Sequence, residues 1–75
     1  MAARQHFIIT TNADRAKAAQ VAVAAYFGLV GGDREDTLPD LLGDLMHYAD
    51  AYGRNFDELL ERARGMYAEE KRDDK

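Results

Sequence analysis

The alternation of apolar and polar positions divides the chain into four segments. Residues 5–11, Gln-His-Phe-Ile-Ile-Thr-Thr, are rich in β-branched and aromatic types. They predict a strand with Phe7 and Ile9 on one face and Ile8 on the other. A lone strand leaves its backbone N–H and C=O groups unpaired. Its intrachain partner would be a short second strand at Gly28-Leu29-Val30-Gly31. Failing that, the partner is the same strand of a second copy or a strand of another protein. His6 falls in this strand as a half-exposed position.

The next segment predicts a helix over about 13–27, capped by Thr11 or Asn12, with Asp14 suiting the first-turn dipole, and stopped by Gly28. After Lys17 and before Gly28, every side chain but Gln20 reads as apolar. A surface helix normally carries a charged face. The lack of one predicts a helix covered on more than one side, at the centre of the domain or at a subunit interface.

A polar loop, Gly31 to Asp36, leads to a second helix over about 38–52. Thr37 is its expected N-cap and Asp40 stands at N3, close to a capping box. Pro39 is tolerated in the first turn. Leu38, Leu41, Leu42, Leu45, Ala49 and Tyr52 make its apolar stripe. Gly53 ends it. A third helix over about 56–70 starts at Asn55, with Phe56, Leu59, Leu60, Ala63 and Tyr67 as its stripe. A turn of about two residues makes these two helices an antiparallel hairpin, and residues 71–75 form a charged tail. The expected class is α+β, mostly α, in one small domain spanning 1–75.

Size and composition narrow the picture. A chain of 75 residues buries only about 60% of its unfolded surface. It has no cysteine and no tryptophan, so disulfides and thiolate metal sites are excluded. Oligomerisation or economical helix packing remains as a source of stability. The longest apolar stretch, Ala18 to Val30, is too short to span a bilayer and has no cleavage pattern after it. The expectation is a protein that stays in the cytoplasm.

The net charge of −4 is unevenly placed. Residues 1–31 carry Arg4, Arg15 and Lys17 against Asp14, a net +2. Between 33 and 61 stand Asp33, Glu35, Asp36, Asp40, Asp44, Asp50, Asp57, Glu58 and Glu61, opposed by Arg34 and Arg54, a net −7. Such a surface repels phosphate backbones and attracts basic protein surfaces. The same charge on a helix face also serves solubility alone.

Candidate chemistry is sparse. Asp40, Asp44, His47 and Asp50 lie at helical spacing, and two carboxylates around an imidazole are a conceivable divalent-metal set. No third convergent ligand comes from the last helix, so these residues read as a polar, solvated helix face, and no metal is expected. The sequence has no serine or cysteine for a nucleophilic triad. Gly28-Leu29-Val30-Gly31-Gly32 follows a helix instead of opening one and lacks a phosphate-loop lysine. No cofactor is implied.

Two resemblances add to this reading. Leu41-Leu42-Gly43-Asp44-Leu45-Met46-His47-Tyr48 resembles a helix of all-α nucleotide pyrophosphohydrolases of the MazG type. Asp44 matches one ligand of that family. Leu41 stands where a glutamate belongs, and the first helix offers alanines and Gln20 in place of paired glutamates. The wider stretch Leu38 to Tyr67, with its Asp-Leu-x-x-Asp-Leu-x-His-x-Ala-Asp-like and Phe-x-x-x-Leu-x-x-Ala-like elements, resembles the helical hairpin of short proteins of phages and other bacterial mobile elements. Some small proteins of that setting are anti-CRISPR inhibitors of type I systems. The resemblance implies a non-enzymatic inhibitor in the bacterial host cytoplasm. It would use Asp33, Glu35, Asp36, Asp40, Asp44, His47, Asp50, Asp57, Glu58 and Glu61 against a basic surface, such as that of a Cas subunit. The alternative is a small dimeric regulatory or antitoxin-like protein, paired through the first strand and helix.

Overall fold

The computed structural model describes residues 8–73. Three α-helices account for most of them: α1, Asn12–Val30; α2, Thr37–Ala51; and α3, Phe56–Asp73. A 3-10 turn, Arg34–Asp36, leads directly into α2.

Among the described residues there is no strand, which corrects the α+β expectation. Residues 5–7 of the expected strand lie outside the described residues. Ile8, Ile9 and Thr10 have no regular structure. Gly28, Leu29 and Val30, the expected second strand, are the last residues of α1. β-propensity acts only where a ladder partner exists, and here the intrachain partner is helical. Capping competes for the same residues. The Thr11 hydroxyl accepts from the Asp14 amide at 3.1 Å, and the Asp14 carboxylate accepts from the Thr10 amide at 3.2 Å and the Thr10 hydroxyl at 2.9 Å. The end of the would-be strand is thereby the cap of α1. A dimer formed through that strand loses its basis over residues 8–11.

Helix α1 also runs past its expected stop. An interior glycine costs about 1 kcal/mol relative to alanine, which does not end a helix already propagating. Gly31 ends it, with φ 72°, and its amide donates to the Phe27 carbonyl at 2.8 Å.

The start of α2 differs as well. Thr37 is not an N-cap, because that position needs an extended backbone and Thr37 is helical at φ −59°, ψ −47°. Its hydroxyl instead donates to the Asp33 carbonyl at 3.3 Å. The start of α3 matches the expectation: the Asn55 side-chain oxygen accepts from the Glu58 amide at 3.0 Å. The α2–α3 connection spans four residues, Tyr52 to Asn55, not two. Gly53 supplies its positive φ of 67°, and the Arg54 amide donates to the Ala49 carbonyl at 2.8 Å. Residues 71–73 of the expected tail are helical, and Lys71 and Arg72 favour the negative end of the α3 dipole.

The helices are tied by a few side-chain contacts. Tyr26 of α1 bonds to Asp44 of α2, and the Arg34 guanidinium lies 4.8 Å from the centre of the Phe27 ring. The start of α1 is tied to the end of α3: Asn12 donates to the Glu70 carbonyl at 3.0 Å, and Arg15 pairs with the Glu70 carboxylate at 3.2 Å.

Among the described residues only Ala49, 1% exposed, and Thr37, 6% exposed, are buried. No residue of α1 is buried, so the expectation that its missing charged face means coverage is overturned within one chain. Val21 is 71% and Leu29 84% exposed. The chain exposes 6880 Å². A compact monomer of its mass would expose about 4,600 Å². The radius of gyration is 14.7 Å, against about 11 Å for a compact chain of this length. The arrangement is open, with its apolar stripes largely uncovered.

Candidate functional site

Helix α2 has two sides. Leu38, Leu42, Leu45 and Ala49 repeat along one, at the spacing of helical neighbours. Asp40, Asp44 and His47 repeat along the other, at steps of four and three. With Tyr26, Val30, Gly31 and Gly32 these three polar residues line a shallow groove between α1 and α2. The Tyr26 hydroxyl donates to the Asp44 carboxylate at its centre. That bond, with desolvation and the charges of Asp44 and Asp40, pushes the Tyr26 phenol up to about 12. Tyr26 is therefore a fixed hydrogen-bond donor at neutral pH and not a base.

The other acidic residues are placed elsewhere. Asp50 and Asp57 line a second hollow at the α2–α3 connection, with Met46, Arg54, Asn55 and Phe56. Asp33, Glu35 and Asp36 occupy the α1–α2 connection and its 3-10 turn. Glu58 and Glu61 stand on the first two turns of α3. All ten residues singled out from the sequence are exposed. Among the described residues the only ion pair is Arg15–Glu70, so none of the nine carboxylates between 33 and 61 has a cationic partner there. The structure thus brings together Asp40, Asp44 and His47, and separately Asp50 and Asp57.

Among the described residues no group of three or more His, Asp and Glu side chains converges as a metal cage. No helix there is long and apolar enough to cross a membrane. The groove offers carboxylates that accept hydrogen bonds, which suits Lys and Arg side chains.

Sequence reasoning missed Tyr26, which read as one more apolar position of α1. It is the only hydroxyl on that helix, and this was the available signal. Glu70 was also missed, because a contact between chain ends leaves no local pattern.

No protein-family model, curated protein sequence or solved structure matches this chain.

Proposed function

We propose that the chain is a non-enzymatic binding protein that occupies a basic, nucleic-acid-binding surface of a partner protein in the cytoplasm of a bacterial host. The observation that carries this reading is the exposure of nine carboxylates between 33 and 61 with no ion pair among the described residues. Carboxylates already paired would have little left to offer a partner. Unpaired ones raise the encounter rate with a basic surface and replace phosphate as its counter-charge. The resemblance of Leu38–Tyr67 to phage-encoded hairpins supplies the concrete form: an anti-CRISPR protein that blocks a Cas subunit of a type I interference complex.

The test measures target-DNA binding by a purified type I complex with increasing amounts of the chain, at low and high salt. Inhibition that weakens with salt and is abolished by the combined variant Asp40→Lys, Asp44→Lys, Asp50→Lys is the expected result. Inhibition untouched by that variant would remove the acidic surface from the mechanism, and no inhibition by the unaltered chain would remove the CRISPR form.

A second reading, a small dimeric regulatory or antitoxin-like protein, is favoured by one observation, the exposed apolar side of α1. It requires self-association, which sedimentation measures directly.

A further inference from the structure

Two apolar surfaces of this chain have no cover of their own. On the outer side of α1, the exposed Val21, Ala22, Ala25 and Leu29 continue from the half-buried Ala18 at steps of three, one, three and four. This is the side away from Val23, Tyr26 and Phe27, the half-buried residues in the second half of the same helix. No charged residue interrupts it after Lys17. On α2, Leu38, Leu42 and Leu45 form the second surface, 58%, 52% and 42% exposed.

We infer that these surfaces are the two halves of a reciprocal homodimer interface, with the outer side of α1 of each copy lying on the leucine stripe of α2 of the other. Three observations favour a second copy as the occupant.

The first is shape. One surface is built mainly of alanines and the other of leucines. Large side chains pack into a surface of small ones, and small residues let helix axes approach to the close end of the usual 8–10 Å. Two α1 surfaces laid on each other would put small on small, and two α2 stripes large on large.

The second is charge. Helix α1 carries Asp14, Arg15 and Lys17, net +1, and α2 carries Asp40, Asp44 and Asp50, net −3. Crossing α1 onto the partner's α2 pairs helices of opposite net charge, twice. Laying α2 on α2 would instead oppose two acidic helices. Lys17, at the basic end of the α1 surface, has no ion pair among the described residues.

The third is area. The chain exposes 6880 Å², about 2,300 Å² beyond a compact monomer of its mass. A standard interface removes about 800 Å² per partner and obligate ones more. A two-fold arrangement covers both surfaces of both copies and then closes. It leaves the groove of Asp40, Asp44 and His47, on the opposite side of α2, free for another partner. The inference therefore stands or falls independently of the acidic-surface reading.

The experiment is sedimentation of the full chain at micromolar concentration, with Val21→Glu and Leu42→Lys made separately. Both positions are more than half exposed, so neither change burdens the single chain. The unaltered chain is expected to sediment as a dimer, and each variant to associate at least about tenfold more weakly. An equimolar mixture of the two variants should restore a dimer containing one copy of each. In that mixed dimer the introduced carboxylate of one copy faces the introduced ammonium of the other, and the second contact keeps Val21 on Leu42. An unaltered chain that remains monomeric at high micromolar concentration overturns the inference. So does a dimer indifferent to both substitutions, or a mixture that stays dissociated.

Discussion

Replacing Ala49 with glycine probes the one tightly enclosed apolar side chain among the described residues. Ala49 is 1% exposed and lies one turn before the α2–α3 connection, where the Arg54 amide bonds to its carbonyl. Glycine removes a buried methyl, worth about 0.8 kcal/mol, and adds about 1 kcal/mol of helix penalty. The sum, about 2 kcal/mol, is a large share of the roughly 4–11 kcal/mol expected for a domain of this length. It corresponds to a fall in Tm of roughly 8–15 °C. Ala68→Gly, at an exposed interior position of α3, is the control and should lose only about 1 kcal/mol. Leucine sharpens the comparison. Ala49→Leu overpacks the enclosed site at a cost of about 1–3 kcal/mol, whereas Ala68→Leu costs only a few tenths. The assay is urea denaturation at one fixed protein concentration, because self-association would otherwise move the midpoint. If the two glycine variants lose equal stability and Ala49→Leu is harmless, then Ala49 is not enclosed and the α2–α3 junction packs differently.

Alkaline titration of the four tyrosines should show one phenol ionising at about 12, and that step should vanish in Tyr26→Phe and shift down in Asp44→Asn. Because folding raises this pKa from 10, the stability contributed by the Tyr26–Asp44 bond is complete below pH 10 and lost as pH rises through about 12. The Thr10 amide, then the Thr10 hydroxyl, hold the Asp14 carboxyl below its ordinary 3.8. The advantage of the unaltered chain over Asp14→Asn should therefore be full above pH 3.8 and fade as pH falls through the lowered value, as acid unfolding followed by circular dichroism would show. Arg15→Ala should cost less than about 1 kcal/mol in denaturant melts and nothing at molar salt, since its bridge to Glu70 is half exposed.

The local chemistry of the chain was legible where a few neighbouring residues decide the outcome. Asn55 caps α3 because its side chain reaches the amide three residues on, whatever the rest of the molecule does. The stripe on α2, with Asp40, Asp44 and His47 opposite, follows from spacing alone. The expected Thr11 cap of α1 is present, and the reading failed where a second local solution competed with it: Thr10 and Thr11 also suit a strand, and Asp14 tips them to the cap. Thr37 has the right side chain for an N-cap, but the 3-10 turn before it leaves it already helical. The acidic residues were legible as a set, but not their division into a groove under Tyr26 and a hollow beside Arg54.

The sequence by itself determined that this would be a small chain without disulfides, that helices would form in its middle and second half, and that its charge would be basic first and acidic after. Those properties depend on residue type and on spacing within one or two turns. Tertiary structure alone decided that Tyr26 meets Asp44, that Asn12 and Arg15 meet Glu70, and that α1, uncharged after Lys17, is exposed and not central. The reason is that an apolar helix face states only that it needs cover. Whether the cover comes from the same chain depends on where the corners at Gly31 and Gly53 send the neighbouring helices, and here they leave the outer side of α1 and the leucines of α2 open.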